Sequence, residues 1–219
     1  MSIAVKICGI NTVDALDTAL EGGADYVGLV FFRKSPRNVD HAIARDLSAR
    51  ARGRTKIVTL LVDPTDLDVA AALEAASPDL IQLHGCEAPE RVAQIARATG
   101  RRVMKAIKVE TAADATAALD YRGAADLILF DAKAPAGAML PGGNGIAFDW
   151  RTLAGVTPQL GANWMLSGGL THDNVAEAVR LTGAPAVDVS SGVELAPGEK
   201  SPELIRRFLL AAKTAKQNG

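Results

Sequence analysis

Short runs of β-branched residues and leucine alternate with longer alanine-rich runs from one end of this 219-residue chain to the other. Strand-like runs fall at Ile3–Ile7, Tyr26–Phe31, Lys56–Leu61, Leu80–Leu83, Val103–Ala106, Leu127–Phe130, Trp164–Leu166 and Val187–Val189. The clearest helical runs are Val13–Glu21, Leu67–Ala76, Pro89–Ala98, Ala112–Leu119, Asn174–Leu181 and Pro202–Ala215, and a short helix is expected after the sixth strand, starting near Phe148. Strand and helix in strict alternation imply parallel strands, since each helical crossover returns the chain to the same end of the sheet. An open doubly wound sheet would have fewer strands and a reversal of their order. Eight units favour closure into a single (β/α)8 barrel of the TIM type.

The chain carries no linker or low-complexity segment, so residues 1–219 are expected to form a single domain. The Pro/Gly-rich stretch Ala134–Gly145 follows the sixth strand and reads as an active-site loop. Asn11 or Thr12, Thr65 or Asp66, and a residue within Thr171–Asp173 are placed to cap helix starts. Asp25, Asp79 and Asp126 each stand directly before a strand, an internal echo of one structural unit.

In a parallel barrel the residues that end the strands share one rim, where reacting groups are displayed. Cys8 directly follows the first strand. A thiol there can act as nucleophile or proton acceptor, and a small buried core residue is the equal alternative for a lone cysteine. Asp131 closes the apolar run Leu127–Phe130, and a carboxyl with such walls can keep its proton and serve as a general acid; taken alone it could equally cap a turn. Gly168-Gly169 after strand seven and Ser190-Ser191-Gly192 after strand eight offer backbone amides and hydroxyls to an anion, the usual place for a phosphate in such barrels. Arg37 follows Ser35-Pro36, and its planar fork suits a carboxylate. Lys6, inside strand one, needs a partner for a buried ammonium, and an ion pair is expected.

Charge and cysteine content narrow the function classes. A formal net charge of −1 gives no bulk attraction to nucleic acid or to an anionic membrane. The start of the chain lacks a secretory signal, and no apolar stretch is long enough to span a bilayer. Two cysteines, Cys8 and Cys86, make no disulfide scaffold, and a cytoplasmic setting is expected. His41, His84 and His172 lie on separate segments without ligand spacing, so no metal is expected. His84 could meet a ligand or make a structural hydrogen bond. The chain has neither a dinucleotide fingerprint after strand one nor a Walker-type loop, so no cofactor is expected.

These residues together resemble phosphoribosylanthranilate isomerases of tryptophan biosynthesis. The resemblance runs through Lys6-Ile7-Cys8-Gly9, Gly28-Leu29-Val30-Phe31, Ser35-Pro36-Arg37, Ile81-Gln82-Leu83-His84-Gly85 and Lys105-Ala106-Ile107. It continues in Leu129-Phe130-Asp131-Ala132-Lys133, Leu166-Ser167-Gly168-Gly169-Leu170 and Asp188-Val189-Ser190-Ser191-Gly192-Val193-Glu194, covering nearly the whole chain in order. It departs at Thr59, where glycine is common, at Asn144 in Gly142-Gly143-Asn144-Gly145, and at Lys200-Ser201.

The resemblance implies an Amadori rearrangement with Asp131 as general acid and Cys8 as general base. Gly168, Gly169, Ser190 and Ser191 would hold the phosphate, Arg37 the anthranilate carboxylate, and Gln82 and Asp188 would contact the sugar or order the site. The expected partner is a phosphorylated small molecule, and the chain is expected as a monomer or homodimer. A barrel isomerase of histidine biosynthesis would place Asp where Cys8 stands. A ribulose-phosphate epimerase would need metal-binding histidines. A non-catalytic phosphosugar-binding barrel would have no use for both Cys8 and Asp131.

Overall fold

The computed structural model describes residues 3–133, 142, 145 and 147–215. Eight strands close into a barrel in sequence order: β1 (Ala4–Cys8), β2 (Tyr26–Phe31), β3 (Lys56–Leu61), β4 (Leu80–Leu83), β5 (Arg102–Val109), β6 (Leu127–Ala132), β7 (Trp164–Leu166) and β8 (Ala186–Val189). Neighbours pair in parallel all the way round, and β8 closes on β1 through Ala4↔Ala186 to Ile7↔Val189. The helices are α1 (Val13–Glu21), α2 (His41–Ala51), α3 (Asp66–Ala76), α4 (Pro89–Thr99), α5 (Ala112–Thr116), α6 (Val175–Thr182) and α7 (Pro202–Thr214). A small antiparallel ribbon, β9 (Glu194–Ala196) with β10 (Glu199–Lys200), follows β8.

The helices form because apolar residues recur at helical spacing and bury one stripe against the outward faces of the strands. Leu16 of α1, Val179 of α6 and Phe208 of α7 join Ile7, Leu29 and Val187 in one continuous outer core. Inside the barrel a second core of Val58, Leu80, Met104, Leu129 and Met165 plugs the lower half. Thr12 caps α1 by accepting from the Ala15 amide, and Thr65 forms a capping box with Asp68 at the start of α3.

Three local expectations are corrected. The N-cap of α6 is Asn174 and not a residue of Thr171–Asp173; its side-chain oxygen caps no helix amide but accepts from the Thr171 amide and folds the preceding turn. The run Ala112–Leu119 splits into α5 and a 3-10 turn at Ala117–Tyr121, having little beyond Ala115 and Ala118 to bury. After β6, the segment from Phe148 makes two 3-10 turns, Trp150–Leu153 and Thr157–Gln159, where Gly155, Pro158 and Gly161 interrupt any longer helix. The expected loop Ala134–Gly145 lies, apart from Gly142 and Gly145, outside the described residues, and so does the departure at Asn144.

The aspartate echo has a structural meaning. Asp25, Asp79 and Asp126 each precede an even-numbered strand and clamp the odd-numbered strand before it. Each donates its amide to the carbonyl of Val5, Ile57 or Val103 and accepts that residue's amide on its carboxylate, at 2.8, 2.7 and 2.8 Å. These clamps sit at the strand starts, leaving the opposite rim free for chemistry. Before β8 the equivalent residue is Pro185, and the echo stops there.

Candidate active site

Successive strand residues point to opposite faces, so every second residue climbs the inner wall. On β4 the inner row is Leu80, Gln82 and then His84; on β6 it is Leu127, Leu129 and Asp131; on β8 it is Ala186, Asp188 and Ser190; on β1 it is Ala4, Lys6 and Cys8. The lower residues are apolar and the upper ones polar or ionisable. A cavity open at its mouth, with about 780 Å³ of free space counting the solvent at that mouth, sits on top of this row, lined among others by Cys8, Arg37, His84, Asp131, Gly168 and Ser190.

Cys8 and Asp131 lie inside their strands rather than after them, because the ladders continue through Cys8↔Gly28 and Lys108↔Asp131. Both side chains are nearly buried and line the cavity. Asp131 accepts from the Ala132 amide on Oδ1 at 3.0 Å, and its Oδ2 lies 3.2 Å from His84 Nε2. Gln82 Nε2 stands 2.9 Å from the other ring nitrogen. Gln82 is wholly buried and orders His84. A Cβ on Gly142 would sit 2.5 Å from both Asp131 Oδ2 and His84 Nε2, so this glycine packs its backbone against the pair.

Asp188 bonds Lys6 Nζ at 2.8 Å and accepts from Ser167 Oγ at 3.1 Å. The ion pair expected for Lys6 is therefore present and buried. Burial alone would pull the Lys6 ammonium down, but Asp188 and then Cys8 reverse this and hold it above its ordinary value.

Arg37 is buried, and its fork grips a carboxylate of its own chain. Nε and Nη2 reach Glu194 Oε1 and Oε2, each at 2.8 Å. Gly9, at φ +79°, makes room for the arginine stem: a Cβ there would lie 2.9 Å from Arg37 Cδ. Glu194 also receives Lys200 Nζ at 2.6 Å. Burial opposes ionisation of Glu194, yet Arg37 and Lys200 outweigh it and hold its carboxyl below the usual range. Lys200 is pulled down by burial, which Glu194 only partly offsets.

The two anion loops meet over the barrel end. Gly168 takes φ +87° and Gly169 φ +64°. A Cβ on Gly168 would stand 2.6 Å from the Ala132 amide nitrogen, and one on Gly192 would collide with the Leu170 carbonyl. Both glycines are required by close backbone approach. Lys200 Nζ binds the Ser190 carbonyl at 2.9 Å and Ser190 Oγ at 3.3 Å, bringing a cation under the second loop.

Cys8, Asp131, Arg37, Gln82, Asp188, Gly168, Gly169, Ser190 and Ser191 thus all border one cavity. Sequence reasoning missed Glu194 and Lys200 and left His84 undecided. Glu194 closes a motif that was legible, but its partner Arg37 is 157 residues away. Lys200 was noticed only as part of a departure, and its neighbour Ser201 caps α7.

The family model of N-(5'phosphoribosyl)anthranilate (PRA) isomerase matches residues 5–211. The chain belongs to this family. An N-(5'-phosphoribosyl)anthranilate isomerase of Rhodopseudomonas palustris (strain BisA53) is 53% identical over 217 residues, covering 99% of each chain. Among solved structures, phosphoribosyl anthranilate isomerase from Thermotoga maritima superposes with a TM-score of 0.86 at 34% identity, covering 96% of this chain and 98% of the other. A phosphoribosyl anthranilate isomerase in complex with reduced 1-(o-carboxyphenylamino)-1-deoxyribulose 5-phosphate gives 0.84 at 33% identity with the same coverage. Membership of this isomerase family makes the chain an enzyme of aldose–ketose isomerisation.

Proposed function

We propose that the chain, acting as one barrel domain, converts N-(5-phosphoribosyl)anthranilate to 1-(2-carboxyphenylamino)-1-deoxyribulose 5-phosphate, with Asp131 as general acid and Cys8 as general base. The observation that carries this reading is that both side chains border one cavity that the two Gly/Ser loops, on the strands between them, also line. Asp131 gives a proton to the furanose ring oxygen while the anilino nitrogen supplies electrons. The C1–O bond breaks and a Schiff base forms. The Cys8 thiolate then takes the proton from sugar C2, giving an enolamine. Protonation at C1 and loss of the C2 hydroxyl proton complete the ketone, so protons given and taken balance. Each transfer contributes on the order of 10² to 10⁴ in rate.

Binding falls to other groups. The amides of Gly168 and Gly169 and the hydroxyls of Ser190 and Ser191 hold the phosphate, with Lys200 adding charge beneath. Arg37, aimed by Glu194, faces the anthranilate carboxylate. Asp188 and Gln82 order the site through Lys6, Ser167 and His84. No helix of the described residues is long and apolar enough to cross a membrane. The unpaired Cys8 and Cys86 suit a reducing compartment such as the cytoplasm, and the acting unit is a monomer or homodimer.

The test follows decay of the substrate's anthranilate-type fluorescence with the parent, Cys8→Ala and Asp131→Ala. Turnover by the parent and its loss in both variants is the expected result. A folded parent that binds substrate without converting it would leave only a phosphosugar-binding barrel.

A further inference from the structure

Lys6 and Cys8 stand two residues apart on β1, so one rises above the other on the same inner wall. Gly28 on β2, paired with Cys8, faces both. A Cβ built on Gly28 would lie 3.0 Å from Cys8 Sγ and 3.2 Å from Lys6 Nζ. The space a methyl group would occupy therefore borders the ammonium and the sulfur at once. Gly28 is not among the glycines with positive φ, so its backbone would accept alanine and only this space demands glycine. Lys6 is 0% exposed and is fixed from its other side by Asp188.

We propose that Lys6 is the positioning residue for Cys8: held by Asp188 and sharing with Sγ the space left by Gly28, its ammonium stabilises the thiolate. The proposal rests on the reading of Cys8 as the base, and it adds the group that makes a buried thiol usable as one. Every charged group facing Cys8 enters the balance. Lys6 comes from its own strand, Asp188 from β8, Lys200 from β10 and Arg37 from the segment after β2. Glu194 lies behind Arg37 and Lys200, and Asp131 and His84 stand across the cavity. Burial pushes the Cys8 thiol up and Asp188 adds to that; Lys6 is the strongest opposing influence. Because Lys6 is itself held above its ordinary value, it stays charged while the thiol titrates.

The experiment reads Cys8 directly. In a Cys86→Ser background Cys8 is the sole thiol, and its ultraviolet thiolate absorbance is titrated against pH as the difference from a Cys8→Ala counterpart. Lys6→Met is combined with Asp188→Asn so that no buried charge is stranded. Gly28→Ala tests the same contact with both charges left in place. Both are expected to raise the midpoint of thiolate formation, and a midpoint one pH unit higher leaves about tenfold less thiolate at a given pH below it. In Gly28→Ala, which leaves Asp188 in place, the acid limb of kcat/KM should move with it. An unchanged midpoint in both variants would overturn the proposal. Parental turnover by Cys8→Ser beside a raised midpoint would remove the base reading and the catalytic purpose of the contact, while leaving the contact itself established.

Discussion

Replacing Lys105 by Met is expected to cost about 3–5 kcal/mol of folding stability at neutral pH, the usual consequence of stranding one partner of a buried ion pair. Lys105 lies on β5, and its side chain is 3% exposed. Its three ammonium protons have three acceptors: Glu87 Oε2 at 2.9 Å, the Gly85 carbonyl at 2.9 Å and the Ala106 carbonyl at 3.0 Å. Glu87 in turn accepts from the Asp63 and Gly85 amides, at 2.8 and 3.0 Å. Met would fill similar space but leave a buried carboxylate with only backbone partners. The sign with pH follows from the balance at Glu87. Burial raises its pKa, Lys105 leads the influences that lower it, and lowering wins. In the parent this carboxylate therefore stabilises the fold above its unfolded value of about 4.3, and the contribution is lost as pH falls through the lower folded value. Without Lys105 burial prevails, so the gap between variant and parent should be widest at neutral pH and close in acid, where Glu87 is protonated in both. Urea unfolding at several pH values measures it. A loss under about 1 kcal/mol, typical of exposed pairs, or a gap indifferent to pH would refute the reasoning. Adding Glu87→Gln to Lys105→Met should recover part of the loss.

Other perturbations address binding. Arg37→Ala should raise KM with kcat less affected, the mark of lost uniform binding, and steady-state kinetics giving parental KM would remove Arg37 from the site. Gly192→Ala should weaken binding of inorganic phosphate and lower stability together, since the new Cβ meets the Leu170 carbonyl; calorimetry showing parental affinity would detach that loop from the anion.

The architecture was legible because its signal is periodic. Four of the eight strands have the bounds read from the sequence, and the others differ by a residue or a few at their ends. Those few residues matter chemically: β1 reaches Cys8 and β6 passes Asp131, so both groups are fixed by the ladder rather than carried on loops. The site was legible where chemistry sits at a strand end, as at Cys8, Asp131 and the glycine pairs. It was not legible where function depends on pairing across the fold. An arginine fork predicts a carboxylate, but nothing near Arg37 in sequence says that Glu194 takes two of its nitrogens. His84 looks like any strand-end histidine until Gln82 and Asp131 are seen on either side of its ring.

The separation of the two rims yields a prediction that tests the organisation of the whole barrel. Each clamp by Asp25, Asp79 or Asp126 ties the start of one strand to the next, on the side away from the cavity. Asp79 is exposed, so its bond to the Ile57 amide is worth a net of about 1 kcal/mol and not the larger cost of a buried charge. Asp79→Ala should lower stability by about that amount. Asp79→Asn keeps an oxygen acceptor and should lose less. Because the clamps sit on different strand pairs and share no partner, the three alanine replacements should combine nearly additively. None of them reaches the cavity, so kcat and KM should stay at parental values in every variant that remains folded. Urea unfolding beside steady-state kinetics checks both halves. A fall in kcat from Asp79→Ala alone would show that strand starts and strand ends are mechanically coupled, and that the rims do not divide stability from chemistry.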